Sequence, residues 1–197
     1  IVLRFLDGCF SVFSLSVALA LSMVVAGTAG MTQKASAAKK FKTYVMFSDD
    51  KWKVTANMNT AKGEYDSPKT IKAKKGTQNV SMTLTKSKLK TGAKEKTSKA
   101  SVFCVDIENA MKTYKPSQIK ISKVKIYVDG KAIKVKANKL KQGYLEKDQK
   151  NNKFRLEIFN VYGKGGTGAK KANYPVDPNK LKFKKSLKVS FKLTFKK

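Results

Sequence analysis

Histidine is absent from the 197 residues, arginine occurs only at Arg4 and Arg155, and cysteine only at Cys9 and Cys104. Without histidine the chain lacks the usual general base and every histidine-ligated metal site. With arginine so scarce, the planar fork that reads phosphates and bases is nearly missing, which argues against specific nucleic-acid recognition. Negative charge is short as well: 13 Asp and Glu stand against 43 Lys and Arg, for a formal net charge of +30. Hydrolysis by paired carboxylates needs two acids converging across a cleft. Asp49, Asp50, Glu64, Asp66, Asp106, Glu108, Glu146, Asp148, Glu157 and Asp177 are the candidates among them, mostly placed in loops or among lysines. The chain therefore reads as non-enzymatic, with no catalytic residues and no metal ligands assigned.

What is present suffices to fold. Hydrophobic residues make up 41% of the chain and aromatics 10%, enough for one core despite the charge. Arg4, a following apolar run and the small residues Ala35, Ser36 and Ala37 fit a secretory signal peptide over 1–37. The alternative is an uncleaved membrane anchor, since the run approaches spanning length. Asp7 offsets Arg4 and the first residue is Ile, so the reading expects further basic residues upstream. Residues 38–42 then form a leader and 43–197 one domain, exported and extracellular or associated with the cell wall. Its single thiol, Cys104, lies among apolar neighbours and reads as buried and inert.

The hydrophobic period is that of strands. Leu187, Val189, Phe191, Leu193 and Phe195 alternate with Lys188, Ser190, Lys192, Thr194 and Lys196, giving one core face and one solvated face. Val80, Met82 and Leu84 repeat the pattern, as do Phe154, Leu156 and Ile158, with Arg155 and Glu157 expected to point out. Val124, Ile126 and Val128 precede Asp129 and Gly130, a dipeptide suited to a tight hairpin turn. Apolar parity changes between Ile121 and Val124, which predicts a β-bulge near Ser122 and Lys123. Both parities are apolar around Phe103 and Cys104, so that strand is expected to be buried on both faces, and Asp106 within it needs a partner. Helical character is confined to 109–114, while 86–99 and 163–172 read as exposed loops. The sum is an antiparallel β-sandwich, jelly-roll favoured over immunoglobulin-like.

Motifs narrow the chemistry further. Gly163, Gly165 and Gly168 match the dinucleotide pattern G-x-G-x-x-G, but Pro175 and Pro178 forbid the helix that would hold a pyrophosphate. Ala169 also stands where a phosphate-loop lysine belongs. Lysines alternate along strands rather than forming a stripe, so the field they create implies only salt-sensitive attraction to anionic wall polymers or lipid headgroups. Sugar binding by a sandwich rests on planar rings stacking on pyranose faces. Trp52, Tyr65, Tyr114, Tyr144, Tyr162 and Tyr174 all fall near expected loops or strand ends, and Trp52 and Tyr162 are the leading candidates. The competing reading makes Trp52, the one tryptophan, a core anchor.

Three stretches carry a family resemblance: FCVDIE at 103–108, VKIYVDGK at 124–131, and FRLEIFNVYG at 154–163 with NYPVD at 173–177. Together they resemble a β-sandwich module of secreted proteins of gut clostridia, related to carbohydrate-binding modules attached to cellulases and other glycoside hydrolases. The resemblance covers roughly 44–195. It implies a non-catalytic jelly-roll that binds polysaccharide, and it gives weight to Asn160 and Tyr162 as site or corner residues. Trp52, Tyr162, Asn160, Tyr174 and Tyr144 are accordingly the expected ligand contacts. The rival expectation is a cationic structural or adhesive envelope protein held by lysine charge to anionic wall polymers, and docking onto another secreted protein is a third. No cofactor is expected; such sandwiches can take a structural calcium through Asp and backbone oxygens, and no ligand spacing here singles it out.

Overall fold

The computed structural model describes residues 39–58, 65–145, 152–163 and 165–196. The proposed signal segment, with Cys9, lies outside them, as do Glu64, Glu146 and Asp148. Among the described residues ten strands form two antiparallel sheets: β1 (Lys40–Asp49), β2 (Thr55–Ala56), β3 (Lys69–Lys72), β4 (Gly76–Thr85), β5 (Ala100–Ile107), β6 (Ile119–Val128), β7 (Lys131–Ile133), β8 (Lys141–Gly143), β9 (Phe154–Asn160) and β10 (Ser186–Phe195). The first sheet runs β2-β1-β5-β9-β8, with β3 also on β1; the second runs β4-β10-β6-β7. Among the described residues the helical pieces are short 3-10 turns, one at Ala110–Lys112, and none is long and apolar enough to cross a membrane. Strand β1 takes in Lys40, Phe41 and Lys42, which the sequence analysis assigns to a leader; Phe41 is buried and Lys40 pairs with Lys72.

Alternation builds the core between the sheets. Phe41, Val45 and Phe47 of β1 and Phe103, Val105 and Ile107 of β5 meet Val80, Met82 and Leu84 of β4 and the odd-numbered apolar residues of β10. Each such side chain, fully buried, contributes on the order of 1.5–3 kcal/mol. The hairpin turns at Asp129 (φ 50°) and Gly130 (φ 85°), the two positive dihedrals of a primed turn. The expected bulge is also present: the β6–β10 register shifts between Ser190 and Lys192, and Lys123 opposite has φ 53°.

The outer face of the first sheet is where period-2 reasoning goes wrong. Arg155 and Glu157 do point away from the main core, but they are 2% and 5% exposed rather than solvated. Tyr44, Met46, Val102, Cys104 and Asp106 share that face and are buried too. Chain segments from elsewhere lie on it: Met58 packs on Met46, Val102 and Cys104, and the Tyr65 ring lies 4.9 Å from that of Tyr44. Asn57 pins this cover, donating to the carbonyl of Val45 at 2.7 Å while its own carbonyl accepts from the backbone N–H of Asp66.

Asp106 finds its partner here. The Arg155 guanidinium grips both carboxylate oxygens, Nε to Oδ1 at 2.6 Å and Nη2 to Oδ2 at 2.7 Å, and Lys153 Nζ lies 3.2 Å from Oδ2. Burial alone would make Arg155 easier to deprotonate, but the hydrogen bonds and charge of Asp106 reverse the direction and the guanidinium stays charged. Burial pushes the Cys104 thiol well up, with Arg155 working against it, so the thiol is protonated and buried as expected.

Two stability predictions follow from the fold. Asp106→Ala strands Arg155 and Lys153 without their shared carboxylate and should cost about 3–5 kcal/mol in urea denaturation; a loss under 1 kcal/mol would show the pair to be dispensable. Asp129 accepts the backbone N–H groups of Lys184, Lys185 and Ser186. Burial raises its pKa, but these donors and the nearby Lys185 ammonium outweigh it, so the carboxyl is held below its usual value of 3.8. A depressed folded pKa contributes stability above the unfolded value that disappears as pH falls through the folded one. Asp129→Asn should therefore lose about 1 kcal/mol at pH 7, allowing for solvent screening. That difference should hold down to about pH 5 and shrink below pH 3.8.

Candidate functional site

Trp52 and Tyr162 lie 110 positions apart in sequence and meet at one end of the first sheet. Trp52 Nε1 donates to Tyr162 Oη at 2.8 Å, with ring centroids 5.8 Å apart and planes inclined by 48°. Both are half open to solvent, at 48% and 47% exposure. Trp52 is therefore not a core anchor.

The turn between β1 and β2 holds Trp52 in a costly conformation. Its φ of 55° is in the left-handed region, which a bulky L residue occupies at a cost of roughly 1–2 kcal/mol. Buried Asp49 enforces it: its carboxylate accepts from the N–H groups of Lys53 (3.0 Å), Val54 (3.3 Å) and Ser98 (3.2 Å), while its carbonyl accepts from Trp52 N–H at 3.1 Å. The 90–93 stretch presses on this turn closely enough that a Cβ at Gly92 would sit 2.2 Å from the carbonyl oxygen of Lys53.

Tyr162 is positioned by the end of β9. The Asn160 side-chain carbonyl accepts from Tyr162 N–H at 3.0 Å, and its amide donates to Glu157 at 3.2 Å. Asn160 is thus a corner residue under the ring. The glycine-rich loop folds back over this corner instead of opening a helix. Gly168 N–H donates to the Asn160 carbonyl at 2.7 Å, and Thr167 N–H donates to Glu157 at 2.7 Å. A Cβ at Gly166 would lie 2.4 Å and 2.5 Å from the carbonyl oxygens of Asn160 and Tyr162. Close approach to the chain's own backbone accounts for the glycine there. The 163–172 stretch is therefore not wholly exposed: Gly166, Thr167 and Gly168 are buried.

The other expected contacts divide. Tyr174 is half-buried, packs edge-on against Phe159 at 5.1 Å, and lines a cleft of about 590 Å³ at the same end of the molecule as the pair. Tyr144 does not join them: it follows β8 beside the start of β9, and its hydroxyl lies 3.4 Å from Asn152 Oδ1. Tyr114 stacks on Phe195 at 4.7 Å and belongs to the core, and the Tyr65 hydroxyl donates to Glu108. A second cleft of about 860 Å³ lies between the 86–97 loop and the 182–185 segment, with Lys94, Lys96 and Lys184 among its walls. One expected loop lysine, Lys86, is instead buried, its ammonium donating to the carbonyls of Gly92 and Ala93. Among the described residues no group of three or more Cys, Asp or Glu is placed to hold a metal ion. The clefts are features sequence reasoning missed, since neighbouring lysines give no sign of which ones share a wall.

Comparison with protein families, with curated proteins and with solved structures found no match.

The strained backbone at Trp52 makes its role separable from packing. Trp52→Gly relieves the dihedral while removing a half-exposed ring, so stability should change by no more than about 1 kcal/mol in urea denaturation. A buried anchor would instead lose about 3–5 kcal/mol.

Proposed function

We propose that the protein is a secreted, non-catalytic carbohydrate-binding jelly-roll whose Trp52–Tyr162 pair stacks on sugar rings. The observation that carries the reading is the pair itself: two rings fixed in mutual geometry, each half exposed, on a backbone held in a strained turn. Rings fixed before binding lose little entropy when a sugar docks. The carboxylates argue in the same direction. Asp49, Asp66, Asp106, Glu157 and Asp177 each accept structural hydrogen bonds, which occupies them away from acid-base work.

The competing reading, a cationic envelope protein that adheres by charge alone, rests on the exposed lysines that line both clefts. The two separate by mechanism, because ring stacking survives salt and an exposed charge contact does not. The protein should be retained on one of insoluble cellulose, xylan or purified cell wall at both low and high salt. Trp52→Ala and Tyr162→Ala should each weaken that retention about tenfold. Retention only on wall material, abolished by salt and indifferent to both substitutions, would leave the charge-only protein.

A further inference from the structure

We infer that the glycan taken at this end of the molecule is anionic, carrying a carboxylate or phosphate on its repeat, with that charge received in the cleft beside the aromatic pair. The inference rests on the reading of Trp52 and Tyr162 as a sugar platform and names the class of sugar.

The cleft of about 590 Å³ is lined by Lys99, Lys134, Lys136, Lys171 and Lys180 together with Tyr174. All five lysines are exposed, and Asp177 is the one carboxylate among the lining residues. Asp177 is engaged as the cap of the next turn, accepting from Asn179 N–H at 2.9 Å. The cleft is joined to the platform on both sides. The Lys99 carbonyl accepts from Asp50 N–H at 2.9 Å and its ammonium lies 3.6 Å from the Asp50 carboxylate, two residues before Trp52. On the other side, Tyr174 packs on Phe159, three residues before Tyr162. The floor is stiff: Pro175, Val176 and Pro178 are buried, and Lys136 N–H donates to the Pro175 carbonyl at 2.8 Å.

Lysines held together on a rigid wall repel one another, and an anion between them relieves that repulsion. Lysine presents a point charge without the planar fork of arginine, so it suits an anion recurring along a polymer better than one phosphate in a fixed orientation. An exposed ring pair next to such a wall matches a chain that offers a sugar face and, one unit along, a negative group. Carboxylate and phosphate share this chemistry, and the choice between them is experimental.

The test measures affinity of the full chain for polygalacturonate, for a glucosylated glycerol-phosphate teichoic acid, for neutral xylan and for single-stranded poly-dT, at two salt concentrations. Three variants are compared: Trp52→Ala, the cleft triple Lys134→Gln, Lys136→Gln, Lys171→Gln, and a control triple Lys120→Gln, Lys125→Gln, Lys192→Gln on the second sheet's outer face. The expected result is tighter binding of one or both acidic glycans than of xylan, with Trp52→Ala and the cleft triple each losing about tenfold and the control triple less than about threefold. The acidic polymer that binds identifies the source of the anion. Equal losses in both triples, or xylan bound as well as the acidic glycans, would overturn the inference, and if xylan binding still needed Trp52 the sugar platform would stand. Poly-dT bound more tightly than either acidic glycan would also overturn it. Absence of binding to all three glycans would overturn the platform reading itself.

Discussion

The buried pair of Asp106 and Arg155 decides what can lie on the outer face of the first sheet. An unpaired guanidinium on β9 would have to reach water, and nothing could be laid over it. With both oxygens of Asp106 engaged, that region becomes coverable, and Tyr44, Met46, Val102 and Cys104 are buried beside it. Two covers then settle: the segment around Asn57 and Tyr65, and the glycine-rich loop that docks on Glu157. The second of these runs over the corner from which Tyr162 projects. Arg155, two residues before Glu157 on β9, thus lies under the same covered face whose edge carries the Tyr162 corner.

A chain this short of negative charge puts its acids to structural use. Asp49 closes the turn beneath Trp52, Asp66 accepts from Lys90 N–H, Asp129 gathers three backbone donors, Glu157 docks a loop and Asp177 caps a turn. Each replaces water for backbone N–H groups that turns leave without a ladder partner. The carboxylates that could have neutralised surface lysines are therefore spent in joints between loops. Lysines line the two loop clefts and also a third on the second sheet's outer face, where Lys69, Lys123, Lys125 and Lys192 meet.

Strand pattern was legible where both faces of a strand obey local rules. In β10 the alternation of Leu and Phe with Lys maps onto buried and open positions residue by residue, and parity alone located the bulge at Lys123. The demand for a partner at Asp106 was legible too, since a carboxylate in a strand with apolar residues on both faces needs one. Arg155 and Glu157 were misread because period 2 separates two faces without saying what covers the second one. Their cover comes from segments distant in sequence, which no window around β9 contains. The ring pair has the same character. Trp52 and Tyr162 could be picked singly as aromatics in loops, but their hydrogen bond depends on how β1, β5 and β9 align, a property of the whole sheet.

The platform and the clefts differ in how they answer to the protein's charge. A field of many lysines acts over a Debye length and attracts any polyanion, with little regard for which lysine provides it. The aromatic pair acts only at contact and only on a flat apolar face. A ligand satisfying one alone would gain either proximity or orientation, whereas the charged sugar chain proposed above would gain both, one unit stacked while its neighbour's anion meets the cleft of Lys134, Lys136 and Lys171. The Asp49 turn on one side and the proline-floored 175–178 segment on the other present ring and cleft on segments bonded before any ligand arrives.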